Sequence, residues 1–186
     1  MDSYSPSTFY LIGIDPGNNT GIAIYELDCN TKAVISIVTH TVVLDNLVTN
    51  RNEVLLNRNA ILSSVCKKLS STYTPIVLAM ESAFLNSRFP KAVMQLSQYT
   101  STVEQAFYGI NSFIKIHRYP PKYIKKYIGA GGNADKDAMT LAVKALPEIS
   151  ARIDLDRVTE HEIDALAAGY IAVSYVRQYP HTLIEY

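Results

Sequence analysis

The sequence predicts an α/β fold, a mixed five-stranded sheet with helices on both faces. Three observations predict it. Three runs rich in β-branched and aromatic residues follow one another near the N-terminus. Two later apolar runs are each preceded by a segment of helical periodicity, and the last third of the chain is helical in pattern. "FYLIGID", "GIAIYEL" and "AVISIVTHTVVL" are separated by turn signals at Pro16 to Thr20 and Asp28 to Thr31, which makes them a three-strand antiparallel meander. From Arg51 to Tyr73, Val54, Leu55, Ile61, Leu62, Val65 and Leu69 recur at helical spacing. "PIVLAMES" is the fourth strand. A helix from Pro90 to Tyr108 follows, then "SFIKIHRY" as a fifth strand that Pro120 and Pro121 stop. The remainder reads as a short helix over Lys122 to Ile128, the loop "GAGGN", a helix from Asp135 to Leu146 and a last helix from Glu160 to about Gln178. Strands four and five are expected to be the two parallel strands that complete the sheet.

Bulk properties fit one domain over residues 9–186 after a short polar tail at 1–8. With 186 residues, 48% of them hydrophobic and 18% charged, the chain can bury a substantial core. Its formal charge is zero, so any binding of polyanions has to come from local clustering. Cys29 and Cys66 stand alone, which excludes a disulfide scaffold and a cysteine-based zinc site. The N-terminus lacks the pattern of a secretory signal, and no apolar run approaches the roughly 18 residues of a membrane span. A soluble intracellular protein is expected.

Two of the apolar strands end on carboxylates, Asp15 and Glu81. Alternation puts Leu11, Gly13 and Asp15 on one side of strand one, and Val77, Ala79 and Glu81 on one side of strand four. An ionised carboxylate at the end of a buried strand costs several kcal/mol unless a cation or strong donor meets it. In adjacent parallel strands both would converge beyond the carboxyl ends, where ligands bind. The last helix, "EHEIDALAAGYIAVSYV", offers Asp164 just before a run of small and apolar residues suited to packing flush on the sheet. At about 100° per residue, Glu160 and His161 share its face while Glu162 lies far around the helix. Oxygen ligands with an optional imidazole suit Mg²⁺ or Mn²⁺, and metal pairs so held serve phosphodiester hydrolysis. Singly, Asp15 before Pro-Gly also reads as a turn former and Glu160 as a partner of the helix dipole. Their joint placement favours a site.

Here a resemblance enters. "IGIDPG…TGIA", "LAMES" with Phe84 three residues after its Glu, and "HEIDALA" resemble, in order, the three active-site motifs of RuvC-type Holliday junction resolvases, members of the ribonuclease H-like nucleases. The resemblance implies a ribonuclease H-like fold. It implies two Mg²⁺ ions per site, with Mn²⁺ substituting, held by Asp15, Glu81, His161 and Asp164. Many members have Asp where this chain has His161, and some have His. It further implies symmetric cutting of a four-way DNA junction by a homodimer, leaving 5′-phosphate and 3′-hydroxyl ends. The helix bearing "AVMQLSQYTSTVEQAF" is the candidate interface.

Between Phe113 and Ala134 there is no acidic residue, whereas Lys115, Arg118, Lys122, Lys125 and Lys126 accumulate among Tyr119, Tyr123 and Tyr127. Such a segment reads either as a phosphate-holding surface or as a solvated face. "GAGGNADK" adds a glycine-rich loop before a helix, with Lys136 at its end, but is no Walker A motif. The resemblance assigns Lys125 and Lys136 to DNA binding and catalysis, and Phe84 to stacking on unpaired bases, against the alternative of a core phenylalanine. Rival readings are a ribonuclease H-like enzyme that processes RNA or flaps, and a DNA-binding module without catalysis. A third is an actin-like or sugar-kinase ATPase, since "GIDPGNNTG" also resembles the phosphate loop that opens those domains. The last needs two such domains, for which 186 residues are too few.

Overall fold

The computed structural model describes residues 7–47, 54–82 and 90–180. Its strands are β1 (Thr8–Asp15), β2 (Asn19–Asp28), β3 (Val34–Val43), β4 (Val77–Glu81) and β5 (Lys115–Tyr119). Its helices are α1 (Val54–Tyr73), α2 (Pro90–Tyr108), α3 (Pro121–Tyr127), α4 (Lys136–Lys144), α5 (Pro147–Ser150) and α6 (Glu160–Gln178). Among the described residues the sheet has five strands in the order β3-β2-β1-β4-β5. The first three pair antiparallel, and β4 runs parallel to both β1 and β5. This is the mixed sheet the sequence predicts. Most of the tail expected at residues 1–8 and the start of the helix expected at Arg51 lie outside the described residues.

Alternation along the central strands builds two cores. On one face Leu11, Ala23, Tyr25, Val77 and Ala79 pack against Ala165, Leu166, Ala168, Ala172 and Val176 of α6. On the other, Ile12, Ile14, Ile22, Leu78 and Met80 meet Leu62 and Cys66 of α1 and Val103 and Phe107 of α2. Met94 stays largely exposed on α2, and Tyr99 is buried with its hydroxyl donating to Asn18 Oδ1 at 2.6 Å. No helix among the described residues is long and apolar enough to cross a membrane.

β5 and α5 differ from expectation, and a 3-10 turn over Leu44–Leu47 follows β3 unpredicted. β5 begins at Lys115 rather than Ser112, because Asn111 accepts from the Phe113 N–H through its side chain and donates to the Pro75 carbonyl, which makes the preceding residues a turn. The one-turn α5 is an addition. Pro147 opens it, in the first helical turn where the missing N–H is not needed.

α6 lies unusually close to the sheet, and glycines permit it. A Cβ on Gly13 would fall 2.1 Å from the Ala165 carbonyl oxygen, and one on Gly21 would fall 1.9 Å from that of His161. The two helical carbonyls therefore sit where side chains of β1 and β2 would otherwise stand. Above them the Tyr25 hydroxyl donates to the Leu166 carbonyl at 2.6 Å.

Candidate active site

Each acidic residue is delivered by an element whose position the core fixes. In the β1/β4 register Ile14 is opposite Met80, so Asp15 and Glu81 leave the sheet side by side at the next step. α6 starts beside them. Thr159 caps it, accepting from the Glu162 N–H while the Glu162 carboxylate accepts from the Thr159 N–H, a capping box. Glu162 also accepts from the Thr41 hydroxyl of β3 at 3.0 Å. It is buried and engaged on the side of α6 away from Asp164, as the helical angles require.

The first question posed by Asp15 is its partner. His161 answers it: Nδ1 lies 2.9 Å from Asp15 Oδ2. The Asp15 hydrogen bond holds the imidazole above its usual pKa, while burial pushes the Asp15 carboxyl up despite that bond. Glu81 rises much further, to about 8, from burial first and then from the charges of Asp15 and Asp164; Lys125 opposes this. Burial and then Asp15 push Asp164 to about 6, against Lys125 and His161. Three carboxyls from β1, β4 and α6 thus resist ionising together, the mark of anions held in one another's field in a dry place.

Glu81, Asp164, Lys125 and Lys136 border one cleft of about 190 Å³. Lys125, half-buried on α3, donates to the Ala134 carbonyl at 2.7 Å and so ties α3 to the glycine-rich loop. Lys136 is ion-paired with Glu160, whose own pKa falls chiefly through that bond. Glu160 therefore faces Lys136 at the rim. Lys122 and Lys126 are exposed on α3. Arg118 is not brought to the site: it stands opposite Met80 in the β4/β5 register, hence on the α2 face of the sheet, and its guanidinium is bonded to Glu104 through two nitrogens. Phe84 lies outside the described residues.

Hard oxygen donors that burial and mutual repulsion leave unfavourably anionic suit a divalent cation. Among the described residues no three His, Cys, Asp or Glu side chains close around a single point, and one Asp15 oxygen faces the imidazole. The donor set fits the ion by its chemistry, and its side chains are not drawn into a finished cage. Gly13 and Gly21 escape a reading of the sequence for reactive groups, although they set where α6 presents His161 and Asp164. The signal for them is glycine inside an otherwise apolar strand, which marks close backbone approach.

A family model described as crossover junction endodeoxyribonuclease RuvC matches residues 11–174. The RuvC of Orientia tsutsugamushi (strain Boryong) is 30% identical over 164 residues, covering 87% of this chain and 93% of that one. Among solved structures, Thermus thermophilus RuvC in complex with a Holliday junction substrate superposes with a TM-score of 0.70 at 20% identity, covering 91% of this chain and 96% of that one. The yeast mitochondrial Holliday junction resolvase Ydc2 gives 0.61 at 16% identity, with 99% and 84% covered. These two likenesses carry the fold, which is ribonuclease H-like. By the extent of the family match and the Orientia relative, the chain belongs to the RuvC family of crossover junction endodeoxyribonucleases.

Proposed function

We infer that this chain is a metal-dependent endonuclease that resolves four-way DNA junctions, acting as a soluble intracellular homodimer. The observation that carries the reading is the convergence of Asp15, Glu81 and Asp164, each raised above its ordinary value first by burial, with the Asp15 charge adding to the rise at Glu81 and Asp164. Asp15, Glu81, Asp164 and His161 are the groups that would hold two Mg²⁺ ions, or Mn²⁺ in their place. When bound, such ions ease deprotonation of an attacking water and stabilise charge on the leaving 3′ oxygen.

The chain's own groups do the rest. The His161 Nδ1–H donates to the Asp15 carboxylate, fixing its orientation and leaving Nε2 with the lone pair that a metal ligand needs. Lys125 lowers the proton affinity of both Glu81 and Asp164 and so helps them to be anions at neutral pH. Lys136, together with Lys122 and Lys126 on α3, supplies positive charge for the phosphates on either side of the cut. Arg118 would join them only by leaving Glu104. Phe84 is assigned to stacking on unpaired bases at the crossover. Hydrolysis leaves a 5′-phosphate and a 3′-hydroxyl, and two symmetric cuts require two sites, hence a two-fold dimer through α2.

The test is a labelled four-way junction in Mg²⁺ beside flap, linear and RNA/DNA hybrid substrates. Paired symmetric nicks in the junction are expected, with Asp15→Asn binding it in Ca²⁺ without cutting. Preferential cutting of the hybrid, or full activity in the Asn variant, refutes the reading.

A further inference from the structure

The two lysines that border the acidic cleft are held differently. Lys125 donates to a neutral acceptor, the Ala134 carbonyl, at 2.7 Å, whereas Lys136 donates through Nζ to Oε2 of Glu160 and forms an ion pair with it. That pair joins the first residue of α4 to the first residue of α6, at the mouth of the cleft bordered by Glu81 and Asp164. A phosphodiester brought to those two carboxyls therefore comes up against Lys136 with Glu160 already on it.

Local structure does not call for this pairing. The start of α6 is capped by Thr159 and Glu162, and Asp135, which also borders the cleft, commits its carboxylate to the Ala138 N–H as the cap of α4. Glu160 has no capping duty, and what its carboxylate holds is the lysine. The Lys136 side chain is 75% exposed and that of Glu160 47%, so water and salt screen the pair, and it biases any equilibrium it opposes by no more than about fivefold. A carboxylate and a phosphodiester offer an ammonium group the same thing, oxygen acceptors that carry one negative charge, and so they compete for one lysine.

We propose that Glu160 is a positioning residue that acts through Lys136 as an internal competitor of the DNA phosphate: it holds the lysine over the cleft between substrates, gives it up when a strand enters, and takes it back to hasten departure of the cut strand. This rests on the acidic site cutting DNA with Lys136 on a phosphate.

Glu160→Gln keeps the shape of the side chain and removes its charge. Affinity for a four-way junction and for its nicked product is measured in Ca²⁺, with the dissociation rate of the product, and cutting is measured in Mg²⁺ under single-turnover conditions. At about 50 mM salt the variant is expected to bind both DNAs about three- to fivefold more tightly and to release the product more slowly by the same factor, with the gain shrinking as salt is raised. Its cutting rate at saturating protein should stay within about twofold of wild type, since a competitor for binding does not act on the bound state. On a Lys136→Met background the same exchange should move affinity by less than about 1.5-fold, because the competitor has nothing left to hold. Affinity equal to wild type or weaker in Glu160→Gln overturns the proposal. So does an equal gain on the Lys136→Met background, which would make Glu160 a general repeller of DNA. Oε1 of Glu160 lies 3.7 Å from His161 Nε2, so the Mg²⁺ dependence of cutting is measured as well; a raised Mg²⁺ requirement in Glu160→Gln would make Glu160 a metal ligand and overturns the proposal too. A wild type that neither binds nor cuts a junction overturns the nuclease reading with it, whereas junction cutting with unmoved affinity in Glu160→Gln overturns the competitor alone.

Discussion

Replacing Glu81 by Gln separates the cost of the acidic pocket from its use. The folded protein holds Glu81 at about 8 against an ordinary 4.5, through burial and the neighbouring Asp15 and Asp164. With the folded-state pKa raised, the native chain keeps a proton that the unfolded chain has released. Stability therefore falls as pH climbs from about 4.5 to about 8 and is level above that. At about 1.4 kcal/mol per tenfold change in proton affinity, this window of roughly three and a half decades sets a ceiling of about 5 kcal/mol. Asp15 and Asp164 share the same field, so about 2–4 kcal/mol is assigned to Glu81 itself. Gln preserves the shape and cannot ionise. Urea and thermal unfolding in the presence of a chelator are compared at about pH 5 and about pH 9, either side of the window. At the higher pH the Gln variant should be the more stable by that amount, or by about 5–10 °C in Tm for a chain of this size, and at the lower pH the two should agree within about 1 kcal/mol. A Gln variant that is equal to or weaker than wild type at about pH 9 refutes the claim that Glu81 is held against its own ionisation.

Other expectations follow from the same geometry. Gly21→Ala drives a methyl to within 1.9 Å of the His161 carbonyl oxygen, so it should cost about 1–3 kcal/mol in urea unfolding and abolish junction cleavage. Gly17→Ala, whose nearest neighbour would be the Asn19 oxygen at 3.4 Å, serves as the tolerated control. Lys125→Met removes the cation that lowers Glu81 and Asp164, so the acidic limb of a single-turnover pH–rate profile should move to higher pH; an unmoved limb rejects the role. Tyr25→Phe deletes a buried donor to the Leu166 carbonyl and should cost about 1–3 kcal/mol, measured by thermal unfolding.

Much of this site is legible from local pattern. Alternation in "LIGID" and "VLAME" places Asp15 and Glu81 on the face that α6 covers, and helical angles separate Asp164 and His161 from Glu162. What local pattern does not contain is register between distant strands. The basic segment around Arg118 looks uniform along the chain, yet the β4/β5 pairing sends Arg118 to the opposite face, where Glu104 of α2 takes it. The same holds for Lys136 and Glu160, whose pairing joins residues from two helices across the mouth of the cleft. Proton affinities are equally nonlocal. Nothing in "MES" distinguishes an ordinary glutamate from one pushed to about 8; the displacement exists only once β1 and α6 have closed over it.

That closure also explains why the carboxylates can be coupled at all. Asp15 and Glu81 need only the β1/β4 pairing to stand together, but Asp164 and His161 reach them only because Gly13 and Gly21 let helical carbonyls approach where side chains normally stand. The close approach of α6 to Gly13 and Gly21 and the raised carboxyls therefore occupy the same place. Moving α6 outward by the thickness of a methyl group would relieve the repulsion at Glu81 and give up the packing of α6 on the sheet and the bond from Tyr25 to the Leu166 carbonyl. The same step would lose the site. Substitutions that lift the first turns of α6 should accordingly impair cleavage by more than their loss of stability accounts for, whereas those deep in the α1/α2 face, at Phe107 for instance, should lower activity only in step with stability.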